Sequence, residues 1–176
     1  MSKKRFEPSP PSAFYAASLR QMASWQRIEQ EVPELAARAR RHFDSNKHKT
    51  LATVRRDGSP RISGIELIFA DGELWLGSMW QAVKALDLRR DPRFAVHSAS
   101  DGGDFRGDAK LAGTVEEVES DEVKQAVVQG NAPPGPMHLF RADVTELVLI
   151  SLGGNPPDHM LIESWHPDRG VTTRKR

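Results

Sequence analysis

Apolar and polar residues alternate through much of residues 50–98, TLATVRRDGSPRISGIELIFADGELWLGSMWQAVKALDLRRDPRFAVHS, and two Asp-Gly pairs interrupt the alternation. A period of two sends successive side chains to opposite faces of a strand. Asp-Gly between apolar runs supplies the left-handed backbone that a tight hairpin needs. The pattern predicts strands at 50–55, 61–69 and 73–77, with turns at Asp57-Gly58 and Asp71-Gly72. Ser78-Met79-Trp80-Gln81 has capping-box spacing, with Ser78 as N-cap. A helix is therefore expected over 79–90, carrying Lys84 and stopping ahead of Pro92, with a strand following at 93–98.

The periodicity changes on either side of this block. Tyr15, Leu19 and Met22 form one helical stripe over 13–31, and Trp25, Ile28 and Val32 form a second. Two stripes suggest a helix packed on more than one surface. Pro33 suits the first position of a second helix, with Glu34 in its first turn. Its inner face is Leu35, Ala39, His42 and Phe43, and Asn46-Lys47-His48 ends it. Downstream, a polar loop at 101–107 leads to a strand at 109–118. Ser120-Asp121-Glu122 opens a helix that Gly130 stops. The run 138–152 reads as a long strand whose alternation changes phase near Thr145, the mark of a bulge. Gly153-Gly-Asn-Pro-Pro157 turns it into a last strand at 159–165.

Six or seven antiparallel strands with short helices between them favour a small β-barrel with peripheral helices. The organisation expected is a disordered proline-rich tail at 1–12, a helical segment at 13–47, a barrel at 48–170 and a basic tail at 171–176. A length of 176 residues suffices for one core.

Composition removes several functions. With no cysteine there is no disulfide scaffold, thiolate metal site or cysteine nucleophile. No apolar run approaches the roughly 20 residues of a membrane span. MSKKRFEPSPPSAF lacks the apolar core of a secretory signal, so a cytoplasmic location is the expectation. The net charge of +1 hides an asymmetry: residues 1–49 hold 10 Lys/Arg against 5 Asp/Glu, and residues 50–176 hold 15 against 19. A slightly acidic folded part argues against nucleic-acid binding.

The six histidines show no metal-ligand spacing, and no GxSxG, GxGxxG or GxxxxGK[ST] occurs. No acid–base pair stands out either. Lys84 reads two ways. It is either an exposed lysine on an amphipathic helix or, since helical side chains lean toward the N-terminus, a partner for a phosphate held there. Gly64, inside a predicted strand, marks either a bulge or the close approach of a flat ring. Arg61 and Ser63 give the same strand a polar edge, and Gly77 before Ser78 permits close backbone approach.

The run LATVRRDGSPRISGIEL, then DGELWLGS, then a Lys-bearing helix ending LRRDPRFAVHS resembles the pyridoxamine 5′-phosphate oxidase-like family, the FMN-binding split barrels. RADVTELVLISL and MLIESWHPDRG resemble that family's closing strands. The resemblance covers about 48–170 and implies an antiparallel split β-barrel. It also implies a homodimer with two cofactor sites at the subunit interface. Lys84 matches the family's phosphate-binding lysine. Gly77 and Ser78 match positions at the same end of the cofactor, and Arg61, Ser63, Gly64 and Ile65 match the strand along the ring system. Pyridoxamine phosphate oxidases themselves carry two adjacent basic residues where this chain has Val83-Lys84, and a different C-terminal pattern. The broader group using FMN or the deazaflavin coenzyme (factor 420) is therefore the expected relative. The expected activity is hydride transfer to or from a small organic substrate. The alternative is a non-catalytic flavin- or haem-binding barrel (carrier, sensor or store), in which His97 or His138 would matter.

Overall fold

The computed structural model describes residues 25–99, 105–129 and 135–176. Two helices, α1 (Trp25–Glu31) and α2 (Pro33–Asp44), precede the strands. Four strands follow: β1 (Lys49–Val54), β2 (Pro60–Ile65), β3 (Leu67–Ala70) and β4 (Glu73–Met79). Then come α3 (Val83–Arg90), β5 (Arg93–His97), β6 (Asp108–Glu117) and α4 (Asp121–Val128). The chain closes with β7 (Met137–Gly154), β8 (Pro157–His166) and β9 (Gly170–Lys175). The expected tail at 1–12, and all of the first expected helix before Trp25, lie outside the described residues, as does Gly130.

The strands form one antiparallel sheet in the order β2-β1-β5-β6-β7-β4-β3, with β8 on β7 and β9 on β8. This is the expected split-barrel class. The two ends of the path, β2 and β3, are consecutive in the chain and separated only by Glu66, yet are not paired with each other. That gap is the split. The single strand expected over 61–69 is thus two strands that leave in different directions. Alternation alone does not mark such a corner.

Strand β7 holds the barrel together. Its 18 residues pair with β4 through 137–141, with β6 through 140–150 and with β8 through 147–154. The expected bulge falls where the phase changes: Ala112 faces Glu146 and Gly113 faces Val144, leaving Thr145 as the extra residue. Inside the barrel lie Leu51, Leu76, Leu111, Phe140, Leu147 and Trp165, all 1% exposed or less. Helix α2 buries Leu35, Ala36, Ala39 and Phe43 against this core, and Trp25 of α1 meets Phe69 edge-on at 4.8 Å. His42 sits half-buried beside that face.

Glu73–Met79 is apolar on both faces because both are covered. Leu74 and Leu76 join the barrel core, while Trp75 packs with Val127 and Val128 of α4 and with Leu139. The turns follow their chemistry. Asp71 and Gly72 are both left-handed, at φ of 53° and 75°. Ser120 caps α4 by accepting the Val123 N–H at 3.4 Å. That helix ends in a left-handed Gln129 (φ 46°), so a glutamine takes the turn assigned to Gly130.

Two expectations are corrected. Residues 171–176 are not a tail, since β9 pairs with β8 from Gly170 to Lys175. Val171, Thr172 and Thr173 carry strand propensity that the RKR charge hides. Ser78 does not cap a helix either. It remains in β4, paired with His138, and Met79 pairs with Met137. The helix begins four residues later, with Ala82 as its N-cap and no side-chain cap. Sheet pairing along β7 overrides the local capping signal.

Candidate functional site

A cleft of about 500 Å³ opens at the split. Its floor is the β2–β3 corner (Gly64, Ile65, Glu66, Ile68), and its far wall is the end of β4, from Gly77 to Met79. Val128 of α4 and Met137 of β7 close the apolar side, and Lys47, His48 and Lys84 stand at the rim. The volume falls within the roughly 300–1,000 Å³ of small-molecule sites.

Five of the seven residues singled out from sequence come together here: Gly64, Ile65, Gly77, Ser78 and Lys84. The other two do not line the cleft. Arg61 is spent on Asp87, which its Nε reaches at 2.6 Å, and Ser63 faces Leu51 across the β1–β2 ladder. Asp87 also receives Arg90 and the Thr53 hydroxyl. This buried cluster anchors α3 to β1 and β2.

Lys84 reaches from the first turn of α3 across the split and donates to the Gly64 carbonyl at 2.5 Å. Burial pushes its ammonium below the ordinary lysine range, with Glu66 pulling the other way. A half-buried lysine with no carboxylate in hydrogen-bond contact among the described residues suits an anionic ligand. Gly64 is no bulge: it pairs in register with Thr50, and a Cβ placed there would meet nothing within 4 Å. The glycine leaves bare backbone along the floor. The Ser78 hydroxyl is buried and has no hydrogen-bond partner among the described residues. Open floor, partnerless hydroxyl and rim ammonium fit a flat, phosphorylated ring.

Sequence reasoning missed Lys47, His48 and Glu66. Lys47 Nζ and His48 Nε2 lie 3.3 and 3.4 Å from the same Glu66 oxygen. Asn46-Lys47-His48 read as a helix end, and only the corner at Glu66 brings the two together.

Beneath the site lies a buried polar pair. His138 is fully buried, stacked on Trp80 at 4.7 Å between ring centres. Its Nε2 accepts the N–H of Gln81, a non-glycine residue at φ 57°. Nδ1 therefore carries the proton and donates to Glu117 at 2.5 Å. The other Glu117 oxygen takes Arg89 at 2.9 Å. One carboxylate so holds both the turn entering α3 and its last turn. Glu117→Gln should cost about 1–2 kcal/mol by weakening both charged contacts, read as a lowered melting temperature.

Of the two histidines considered for haem, His138 offers no free nitrogen. It uses both, while His97 Nδ1 lies 2.5 Å from the Ser98 carbonyl and Nε2 3.4 Å from Asp108. No group of three or more potential metal ligands occurs among the described residues, and none of their helices is long and apolar enough to cross a membrane.

A family model described as pyridoxamine 5′-phosphate oxidase matches residues 35–150, more than half of the chain. No curated protein matches. Among solved structures, the heme-binding protein of Mycobacterium smegmatis superposes with a TM-score of 0.55 at 17% identity, over 81% of this chain and 88% of that one. The heme storage protein HutZ of Vibrio cholerae gives 0.53 at 18% identity, over 62% and 89%. A pyridoxamine 5′-phosphate oxidase-related, FMN-binding protein of Nostoc punctiforme gives 0.55 at 16%, over 80% and 94%. At these identities the likeness is one of fold.

Proposed function

Because the chain belongs to the pyridoxamine 5′-phosphate oxidase family, we propose that its cleft holds a phosphorylated flavin-type cofactor, FMN or its deazaflavin analogue. The observation that carries this reading is the meeting of Lys84, the bare Gly64 backbone and the partnerless Ser78 hydroxyl in one cleft. Lys84 would hold the phosphate, Gly64 and Ile65 would lie along the ring, and Ser78 would hydrogen-bond the cofactor. Such a ring accepts and donates hydride, so an enzyme built on it needs few catalytic side chains of its own. The protein's part is to bind, orient and keep out water. The proposed activity is oxidation or reduction of a small organic molecule lying over the ring.

We further propose that a second copy completes the cleft. Met79 and Trp80 at its edge are 66% and 51% exposed, Val83 of α3 is 53% exposed, and Ile62, two places before Gly64 on the same face of β2, is 68% exposed. Apolar side chains grouped this way mark an interaction surface. Haem as the ligand has weaker support, since His138 has both ring nitrogens committed and His97 does not line the cleft.

Titrating ligand-stripped protein with FMN and with the deazaflavin coenzyme tests the proposal; binding of neither would overturn it. Lys84→Ala should weaken binding at least tenfold, about 1.4 kcal/mol, with the fold intact. Binding an anion raises the depressed lysine pKa, so wild-type affinity should fall at alkaline pH as the free ammonium loses its proton. That decline should vanish in Lys84→Ala. Gly64→Val should leave the melting temperature within a few degrees and abolish binding, because its side chain enters open cleft rather than packed core.

A further inference from the structure

A second concavity, of about 330 Å³, lies on the outer face of the β8–β9 hairpin and shares no lining residue with the cleft. Its geometry follows from the strand register. Arg174 faces Ile162, Thr172 faces Ser164, and Arg176 exchanges backbone hydrogen bonds with Met160. Positions 172, 174 and 176 alternate onto one side of the strand, so their side chains share a face with Ser164. Arg169, from the turn between the strands, joins them in lining the groove.

What sets these arginines apart is that three unpaired ones line one groove. Eight arginines among the described residues each meet a carboxylate within 3.0 Å. Arg169, Arg174 and Arg176 do not, and unlike Arg41, Arg55, Arg56 and Arg106, which also lack an ion pair among the described residues, they line a common groove. Among the described residues, their side chains have no ion pair or hydrogen bond, although three like charges lie around one groove. One carboxylate among the described residues lines it, Glu146, 3.4 Å from His166 Nε2. Two hydroxyls, Ser164 and Thr172, complete a polar lining with donors to spare.

Guanidinium groups favour ligands with paired oxygens, carboxylate or phosphate, which they hold in a fork. A single small anion would meet only part of this set. We propose that the groove binds an oxyanion carrying two or more charged groups, of polyphosphate or polycarboxylate chemistry, held by Arg169, Arg174 and Arg176. It is a site separate from the cleft, and its occupant need not be a cofactor.

Isothermal titration of the full chain with inorganic pyrophosphate and, separately, with citrate tests this and tells the two chemistries apart. Saturable one-to-one binding of either is expected. It should weaken at least tenfold in Arg169→Gln/Arg174→Gln and persist in Lys84→Ala. The double variant should keep the wild-type melting temperature, since β9 is exposed along its length. The proposal is overturned if neither anion binds. It is equally overturned if binding disappears in Lys84→Ala and survives in the double variant, which would assign the anion to the cleft.

Discussion

Alanine at position 87 should lower stability by about 3 kcal/mol and flatten the protein's response to acid. Asp87 is 3% exposed and accepts from Arg61 at 2.6 Å, Arg90 at 3.0 Å and the Thr53 hydroxyl at 3.1 Å. Its removal leaves two guanidinium groups gathered in one place without their shared anion. Breaking a buried pair from one side costs about 3–5 kcal/mol, and the low end applies because Arg61 and Arg90 can still reach water. Burial alone would raise the Asp87 pKa, but hydrogen bonds from Arg61, Arg90 and Thr53 outweigh it and hold the carboxyl below its ordinary 3.8. A carboxyl depressed in the folded state stabilises above its unfolded pKa, and that contribution is lost as pH falls through the folded value. Wild type should lose stability below about pH 4 along this limb. Asp87→Ala should show a flatter limb, and denaturant melts at pH 7 and below pH 4 would reveal it. Equal acid sensitivity in the two proteins would reject the assignment.

The second large effect belongs to Gly113→Ala. At the β6–β7 bulge, a Cβ on residue 113 would lie 1.9 Å from the Asp143 carbonyl oxygen and 3.1 Å from the Val144 Cα. Both obstacles are backbone, so no side chain can swing aside. The strands must part or the bulge must move, and a loss beyond about 4 kcal/mol is expected. The readout is recovery of soluble protein, and its melting temperature where any is recovered. Gly77→Ala is the contrast, because its nearest neighbours are the ends of Met137 and Ile68, at 3.7 and 4.0 Å. A mild effect at 113 would show that the bulge is adjustable.

Much of this fold was legible because local chemistry and tertiary structure agree. Both Asp-Gly turns, the Pro33 start of α2, the Ser120 cap and the phase change at Thr145 each leave a mark in a few residues. Legibility failed where distant pairing decides. Ser78 has a cap's spacing, yet its partner is His138, sixty residues away in the chain. The corner at Glu66 is silent because LIFA continues the apolar pattern of β2. The candidate site divides the same way. Gly64, Gly77 and Lys84 could be singled out by residue type and spacing, but Glu66 with Lys47 and His48 required the corner. The polar pair beneath α3 required β6 and β7 to be adjacent.

The place of β7 in the sheet also bears on how the molecule comes into being. The hairpin β3–β4 joins the remaining strands through β7 alone, and β7 lies more than fifty residues downstream of it. On a ribosome, β1, β2, β5 and β6 can pair as they emerge, while β3–β4 must wait with its apolar faces uncovered. Pairings this far apart in sequence are slow to form, since long loops must close before any contact repays them. The cleft takes lining from each party, floor from Gly64 on β2 and wall from Gly77 on β4. A nascent chain therefore has no cleft until β7 is laid in, and a ligand that binds there acts only on the closed barrel. Supplied during refolding, such a ligand should hold closed barrels closed and leave the rate of closing unchanged.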